Sequence, residues 1–301
     1  MMKGQIKIRK VLIFALLFLS LNFLAACQGQ KPESGGKIEK PDITPGFLSI
    51  SGNGVKAPSR FTLAELKDME EAQTSQCYSI VNNWPSKKYM LGRGIELSYL
   101  LKKAGIKDEA QTISFQAADG YFAVFTRQQL EEKRFYYPKL MEGSEEEAQE
   151  VPAILAWEHR EGSKDLSKAS GGKLTLLLGQ KGLNDVQAQV CVKDVAVIEV
   201  LTSPPGQWST VRATPAPGRI KPGTEIVLHH SEQDQVKIYY TADGSSPSEK
   251  SLLYNPSTTY YQPELNKPLV VKQSVTIKAI AVGYGKNDSQ IASFAYDVEG
   301  Y

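Results

Sequence analysis

Cysteine and histidine are scarce, with three of each in 301 residues. A structural zinc framework takes about four ligands per site, so none is expected. Excess charge of either sign is missing as well: 35 Lys and Arg stand against 33 Asp and Glu, a formal net charge of +2. Proteins that grip nucleic-acid phosphates show a strong basic excess, so nucleic acid is not an expected partner. The chain has no His-Glu-x-x-His, no P-loop and no nucleophile elbow. The usual signatures of zinc proteolysis, nucleotide hydrolysis and triad hydrolysis are therefore lacking. No carboxylate pair suited to glycoside hydrolysis can be singled out. Hydrophobic residues make up 41% of the chain and charged residues 23%, which excludes a largely disordered or fibrous polypeptide. At roughly 100–200 residues per domain the length allows two domains.

What is present begins with an export signal. Lys3, Lys7, Arg9 and Lys10 precede an uncharged, almost wholly apolar run from Val11 to Ala26. That run falls short of the roughly 20 residues a spanning helix needs. Its charged start and small-residue end fit a secretory signal peptide. Leu24-Ala25-Ala26-Cys27 resembles the bacterial lipobox. The resemblance implies cleavage before Cys27, acylation of that residue (palmitate among the chains), and an extracytoplasmic protein held to the cell or outer membrane by lipid. Several acyl chains on one residue anchor stably where a single chain is marginal. Residues 1–26 are thus read as signal peptide. Residues 27–45, rich in Gln, Lys, Pro, Gly and Ser, read as a flexible tether. Loss of the signal leaves 31 basic against 33 acidic residues, so the slight basic balance belongs to the export signal.

Two folded parts are expected, 46–205 and 223–301. The stretch 206–222 between them carries Pro215, Pro217 and Pro222 and suits an extended, semi-rigid joint. In the first part, Thr62 and Glu65 stand in capping-box relation at the start of a short helix. Cys77 to Val81 has strand composition, and Ile95 to Leu101 has amphipathic helical spacing with Gly105 as a stop. Thr112 to Gln116 and Tyr121 to Phe125 flank Asp119-Gly120, a hairpin turn followed by an aromatic read as core. A helical turn over Gln128 to Glu132 and strands at Val151 to Trp157, Lys173 to Gly179 and Asp194 to Thr202 complete an α+β pattern. Acidic Glu142 to Glu150 reads as a solvated loop. The second part is all-β by pattern, with strands at Glu225 to His230, Val236 to Thr241, Ser274 to Val282 and Ile291 to Val298. Strands at this spacing suggest an Ig-like sandwich.

The first part resembles the sulfite-oxidase-type molybdopterin-binding domain. The resemblance is carried by Phe61-Thr62-Leu63-Ala64-Glu65-Leu66, Gly94-Ile95-Glu96-Leu97 with Leu100-Leu101, Ala104-Gly105-Ile106, Asp119-Gly120-Tyr121 and Val195 to Val200. Catalytic members of that family bind molybdenum through one Cys thiolate just before an Ala-Gly-Asn-Arg-like segment. Matching Asn82 to the family Asn puts Ser79 at the ligand position, and a hydroxyl is a poor substitute for a soft thiolate. Cys77 lies two residues earlier, about 6.6 Å along a strand, and Asn83 stands where the family has Arg. The resemblance further places Asn82, Trp84 and Arg93 on a pterin-facing surface. Backbone and guanidinium of Gly92-Arg93-Gly94 could together hold a phosphate. Three roles stay open for Cys77: metal ligand, disulfide partner of Cys191, or small buried thiol. The first two exclude each other.

The second part looks like the C-terminal domain of chitobiase and β-hexosaminidase enzymes. It does so through Gly223 to Leu228, Ile238-Tyr239-Tyr240-Thr241 with Asp243-Gly244-Ser245 and Pro247, Thr276 to Ala281, and Tyr296. The likeness brings no active site with it. The pairs Tyr239-Tyr240 and Tyr260-Tyr261 could support a sugar- or partner-binding face. His159 reads as a surface residue at a strand end. Adjacent His229 and His230 point to opposite faces of a strand and cannot share an ion. The expected function is a cofactor-free binding module at the cell envelope, meeting another envelope protein or a glycan. A molybdopterin-dependent oxidoreductase and a glycan-binding surface protein are the alternatives.

Overall fold

The computed structural model describes residues 43–82, 87–257 and 263–300. The signal peptide, Cys27 and nearly all of the tether, Trp84, and the pair Tyr260-Tyr261 lie outside the described residues.

The described residues are mostly β-sheet, and the three α-helices among them are only five to seven residues long. The helical share is smaller than the α+β expectation suggests. The first part contains β1 (Phe47–Ser51), β2 (Ser59–Thr62), α1 (Leu63–Lys67), β3 (Gln73–Val81), β4 (Lys87–Glu96), α2 (Leu97–Lys103), β5 (Thr112–Ala117), β6 (Phe122–Thr126) and α3 (Arg127–Glu131). It continues through β7 (Phe135–Tyr136), β8 (Gln149–Glu150), β9 (Ile154–Glu161), β10 (Ser170–Leu177) and β11 (Val195–Leu201). Among the described residues of this part three sheets result, ordered β2-β1-β11-β5-β6, β10-β9-β4-β3 and the two-stranded β7-β8. The parallel β1–β11 pair brings the two ends of this part together.

Local chemistry explains the helices. Thr62 accepts from the Glu65 N–H while the Glu65 carboxylate accepts from Thr62, the reciprocal cap expected from the sequence. Thr126 and Gln129 repeat the device at α3. Helix α2 buries Leu97, Leu100 and Leu101 on one stripe. These side chains join Ile50, Ile113, Phe115 and Ile198 of the first sheet in the main core. Alternation along β9 sends Leu155 and Trp157 into that core and Ile154 and Ala156 into a second one with Tyr78, Ile80, Met90 and Leu177. The first half of β9, Ile154 to Trp157, is therefore buried on both faces and reads as a continuous apolar run, whereas its second half is charged and increasingly exposed.

The four-stranded sheet curls, and one segment closes it. The 3₁₀ turn Ala188–Val190 follows Gln187, whose side chain bonds the free edge of β3: it donates to the Ser79 carbonyl at 2.7 Å and accepts from the Val81 N–H at 3.3 Å. A few residues on, the segment pairs with the free edge of β10, where the Leu176 N–H donates to the Val192 carbonyl and Thr175 bridges Lys193. Both sheet edges are thus satisfied by one short stretch of chain.

The second part contains β12 (Arg212–Thr214), β13 (Gly218–Ile220), β14 (Thr224–His229), β15 (Val236–Thr241), β16 (Leu252–Tyr254), β17 (Leu269–Val271), β18 (Val275–Gly283) and β19 (Ala292–Val298). They form sheets ordered β12-β14-β17 and β13-β19-β18-β15-β16. In β19 every other residue is buried, with Ala292, Phe294, Tyr296 and Val298 inward. The stretch 206–222 is built into these sheets, for it supplies β12 and β13 and buries Trp208 and Val211 in their core. Among the described residues no helix is long and apolar enough to cross a membrane.

Candidate functional site

The residues singled out on β3 and β4 occupy both faces of one sheet, and most are already engaged. Ser79 is fully buried. Its hydroxyl donates to Gln180 Oε1 at 2.5 Å and accepts from the Tyr137 N–H at 3.0 Å. Gln180 is itself buried and donates to the Leu183 carbonyl at 2.9 Å. A metal at this position would have to displace two buried partners. Cys77 is half-buried; burial pushes its thiol up, against a smaller opposing effect from a hydrogen bond with Tyr136 and the nearby Lys164 charge. A thiolate, the form that binds metal, is disfavoured there.

The Cys77–Cys191 disulfide is not formed, since both thiols are free. Strand alternation supplies the reason. Cys77 shares a face of β3 with Ser79, whereas Cys191 pairs beside Leu177 and shares the face of Ile80 and Met90. Burial pushes the Cys191 thiol up to about 12.

Arg93 sits inside β4 and not in a turn. Its Nη1 donates to Glu158 Oε2 at 2.9 Å and its Nε to Ser75 Oγ at 3.1 Å. The flanking glycines serve packing: a Cβ on Gly94 would lie 2.0 Å from the Leu155 carbonyl oxygen, and one on Gly92 would lie 2.5 Å from Leu177 Cδ1. They allow close approach within the sheet and leave no cradle for a phosphate. Asn82 lines a cavity on the Ile80 face, apart from Arg93. Among the described residues no group of three or more His, Cys, Asp or Glu side chains is placed to hold a metal ion.

The other candidates resolve simply. The His159 ring packs over Gly172. His229 is exposed and His230 buried, the latter bonded to Ser209 and to the Glu232 N–H. Tyr121 is 43% exposed and donates to the Gln189 carbonyl, so it is not a core aromatic. Tyr240 packs against the core of the second part, whereas Tyr239 lines a narrow cleft between the two parts.

That cleft gathers several charged side chains, and apart from Tyr239 its members are not singled out by sequence. Arg134, 3% exposed, donates from Nη1 to the Tyr284 hydroxyl at 2.8 Å and from Nη2 to the Gln129 carbonyl at 2.6 Å. Tyr284 donates in turn to Asp185 Oδ2 at 2.6 Å. The Gln129 side chain, already part of a helix cap, donates to the Gly283 carbonyl and accepts from the Gly285 N–H. Lys181 pairs with Glu249 at 2.7 Å. Lys237 donates to Asn255 Oδ1 at 3.3 Å, and burial depresses its pKa to about 8 despite the nearby Asp185 and Asp234. The free space there is about 30 Å³, room for water and little else. In the sequence Arg134 is one of four consecutive charged residues, Glu131 to Arg134, and nothing local marks it as buried.

Comparison with known proteins adds two findings. Residues 226–296 match the family described as Fn3 associated. A solved structure, the sulfane dehydrogenase SoxCD from Paracoccus pantotrophus, aligns at 14% identity and a TM-score of 0.36, over 80% of this chain and 68% of that one. The superposition is loose, and none of that enzyme's chemistry is transferred. No curated protein matches the chain.

Proposed function

We propose that the chain is a lipid-anchored, extracytoplasmic binding module that works without molybdopterin. The Ser79 hydroxyl carries this reading: the residue at the expected ligand position is spent on two buried hydrogen bonds inside the protein. Cys77, the alternative ligand, is held toward its neutral thiol form, and Arg93 is paired with Glu158. The donor set does not fit a soft metal with its pterin. The lipobox-like Leu24 to Cys27 sequence supplies the anchor, and the partner is a protein or glycan of the same envelope.

Metal and pterin analysis of mature protein from a molybdenum-replete native host tests the first claim. Neither should be found; stoichiometric molybdenum that disappears in Cys77→Ser would overturn it. For the anchor, protein extracted from membranes and denatured should titrate two thiols, because an acylated Cys27 no longer reacts. Three reactive thiols, or unchanged membrane retention of Cys27→Ala, would contradict lipidation.

A further inference from the structure

The curled sheet of the first part encloses a cavity of about 220 Å³ that none of the roles above uses. Its floor is apolar: Ile80, Met90 and Leu177 are each at most 5% exposed. The closing segment faces it with small side chains, Ala188 and Cys191, where larger ones would fill the space. The space is a recess that opens to solvent at one side.

The rim is polar and carries positive charge. Asn82, Thr175, Lys88 and Lys193 line it. Lys88 is paired with Glu161 at 2.8 Å. Glu161 is held below the usual carboxylate range by its hydrogen bond from Lys88, and the charges of Lys88 and Lys193 add to this. Two cations therefore share one anion. Lys193 is exposed at the mouth, and among the described residues Lys88, Lys193 and Glu161 sum to a single positive charge at the rim.

An apolar floor below a cationic mouth selects a small organic anion. Size narrows the class further. A cavity of about 150 Å³ in another protein's core accommodates benzene. Here the larger volume leaves room for a carboxylate beside the ring, and the mouth supplies its partner. We propose that this cavity binds a small monocarboxylate with a flat apolar body of benzoate size. Its ring would lie between Ile80, Met90 and Leu177, and its carboxylate would meet Lys193 and the Asn82 amide. The site stands on the cavity alone and does not depend on the anchor or on the fate of molybdopterin.

Methyl NMR of the full chain in detergent, with labelled methionine methyl groups, tests this directly. Sodium benzoate should shift the Met90 methyl saturably. Lys193→Glu should raise the benzoate Kd at least tenfold without lowering Tm, because that side chain is exposed. Ala188→Leu should abolish the shift by filling the space, and benzyl alcohol should bind at least tenfold more weakly than benzoate. Four results would overturn the assignment: no saturable Met90 shift, an unchanged Kd in Lys193→Glu, benzyl alcohol binding as tightly as benzoate, or inorganic phosphate reproducing the Met90 shift.

Discussion

At the scale of single residues, Ser79 is the tightest knot in the first part. It joins β3 to the Tyr137 backbone and to Gln180 through one buried hydroxyl. Removing it in Ser79→Ala leaves a buried acceptor and a buried N–H without partners, at a cost of about 1–3 kcal/mol. A fall of the urea midpoint with unchanged m-value would report this; an unchanged midpoint would mean that water replaces the hydroxyl. The thiols give a second expectation at this scale. Burial raises Cys77 above its ordinary value and Cys191 to about 12. Thiolates are the reactive species, so at pH 8 a disulfide reagent should label folded Cys191 about a thousandfold more slowly than a free cysteine. Urea should restore the ordinary rate. Fast labelling in the native protein would show that the closing segment opens readily.

The elements show what the sequence could disclose and what it could not. Both capping boxes and the hairpin at Asp119-Gly120 rest on neighbours a few residues apart, so Thr62–Glu65 and the turn are readable locally. The second box, Thr126–Gln129, carries Gln in place of Glu at its third helical position. Strands β15, β18 and β19 declare themselves through alternation. Strands β12 and β13 hide in the Pro-rich stretch because their pairing partners lie far along the chain, up to His229 and Val298. The same holds for the site. Cys77, Ser79 and Arg93 were visible as residue types, but that Gln180, Gln187, Tyr137 and Glu158 occupy them depends on contacts across 58 to 108 residues. The β4 glycines suggest a phosphate cradle for a similar reason: only the β4–β9 pairing shows what they make room for. A graded series follows. Gly94→Ala sets a methyl against backbone atoms of Leu155 and Ala156 and should cost about 3 kcal/mol or more. Gly92→Ala meets chiefly the Leu177 and Ile154 side chains, which can shift, and should cost about 1–2 kcal/mol. Gly171→Ala meets nothing within 4 Å and should be neutral or slightly stabilising. Chemical denaturation of the three variants in parallel measures the order, and a Gly94→Ala no worse than Gly171→Ala would refute the packing account.

At the scale of the whole molecule, the two parts behave as one body because polar groups bind them at a buried junction. The described residues of both parts fall within a single compact unit. The ties include the Arg134–Tyr284–Asp185 chain and the Gln129 side chain against Gly283 and Gly285. One unfolding transition is therefore expected by calorimetry. Tyr284→Phe removes a hydroxyl that both accepts from Arg134 and donates to Asp185, and should lower stability by about 1–3 kcal/mol. Two separate transitions in the wild type would contradict the junction's role.

Lys237 makes the same junction sensitive to pH. Its pKa is about 8 in the folded protein against 10.5 as its ordinary value. Below pH 8 the lysine is protonated in both states, and the folded state bears the cost of burying that charge. Between about 8 and 10.5 the unfolded chain binds more protons than the folded one, so this residue makes stability rise with pH. Tyrosines and cysteines whose pKa values are raised by folding act oppositely at the alkaline end, which is why the comparison must be differential. Lys237→Met carries no charge to bury. It should be more stable than wild type at pH 7, and its advantage should shrink by about 1–3 kcal/mol by pH 10.5. Denaturation midpoints of the two proteins across that range give the difference directly. A constant difference would mean that Lys237 keeps its ordinary pKa, as it would if water entered the cleft freely.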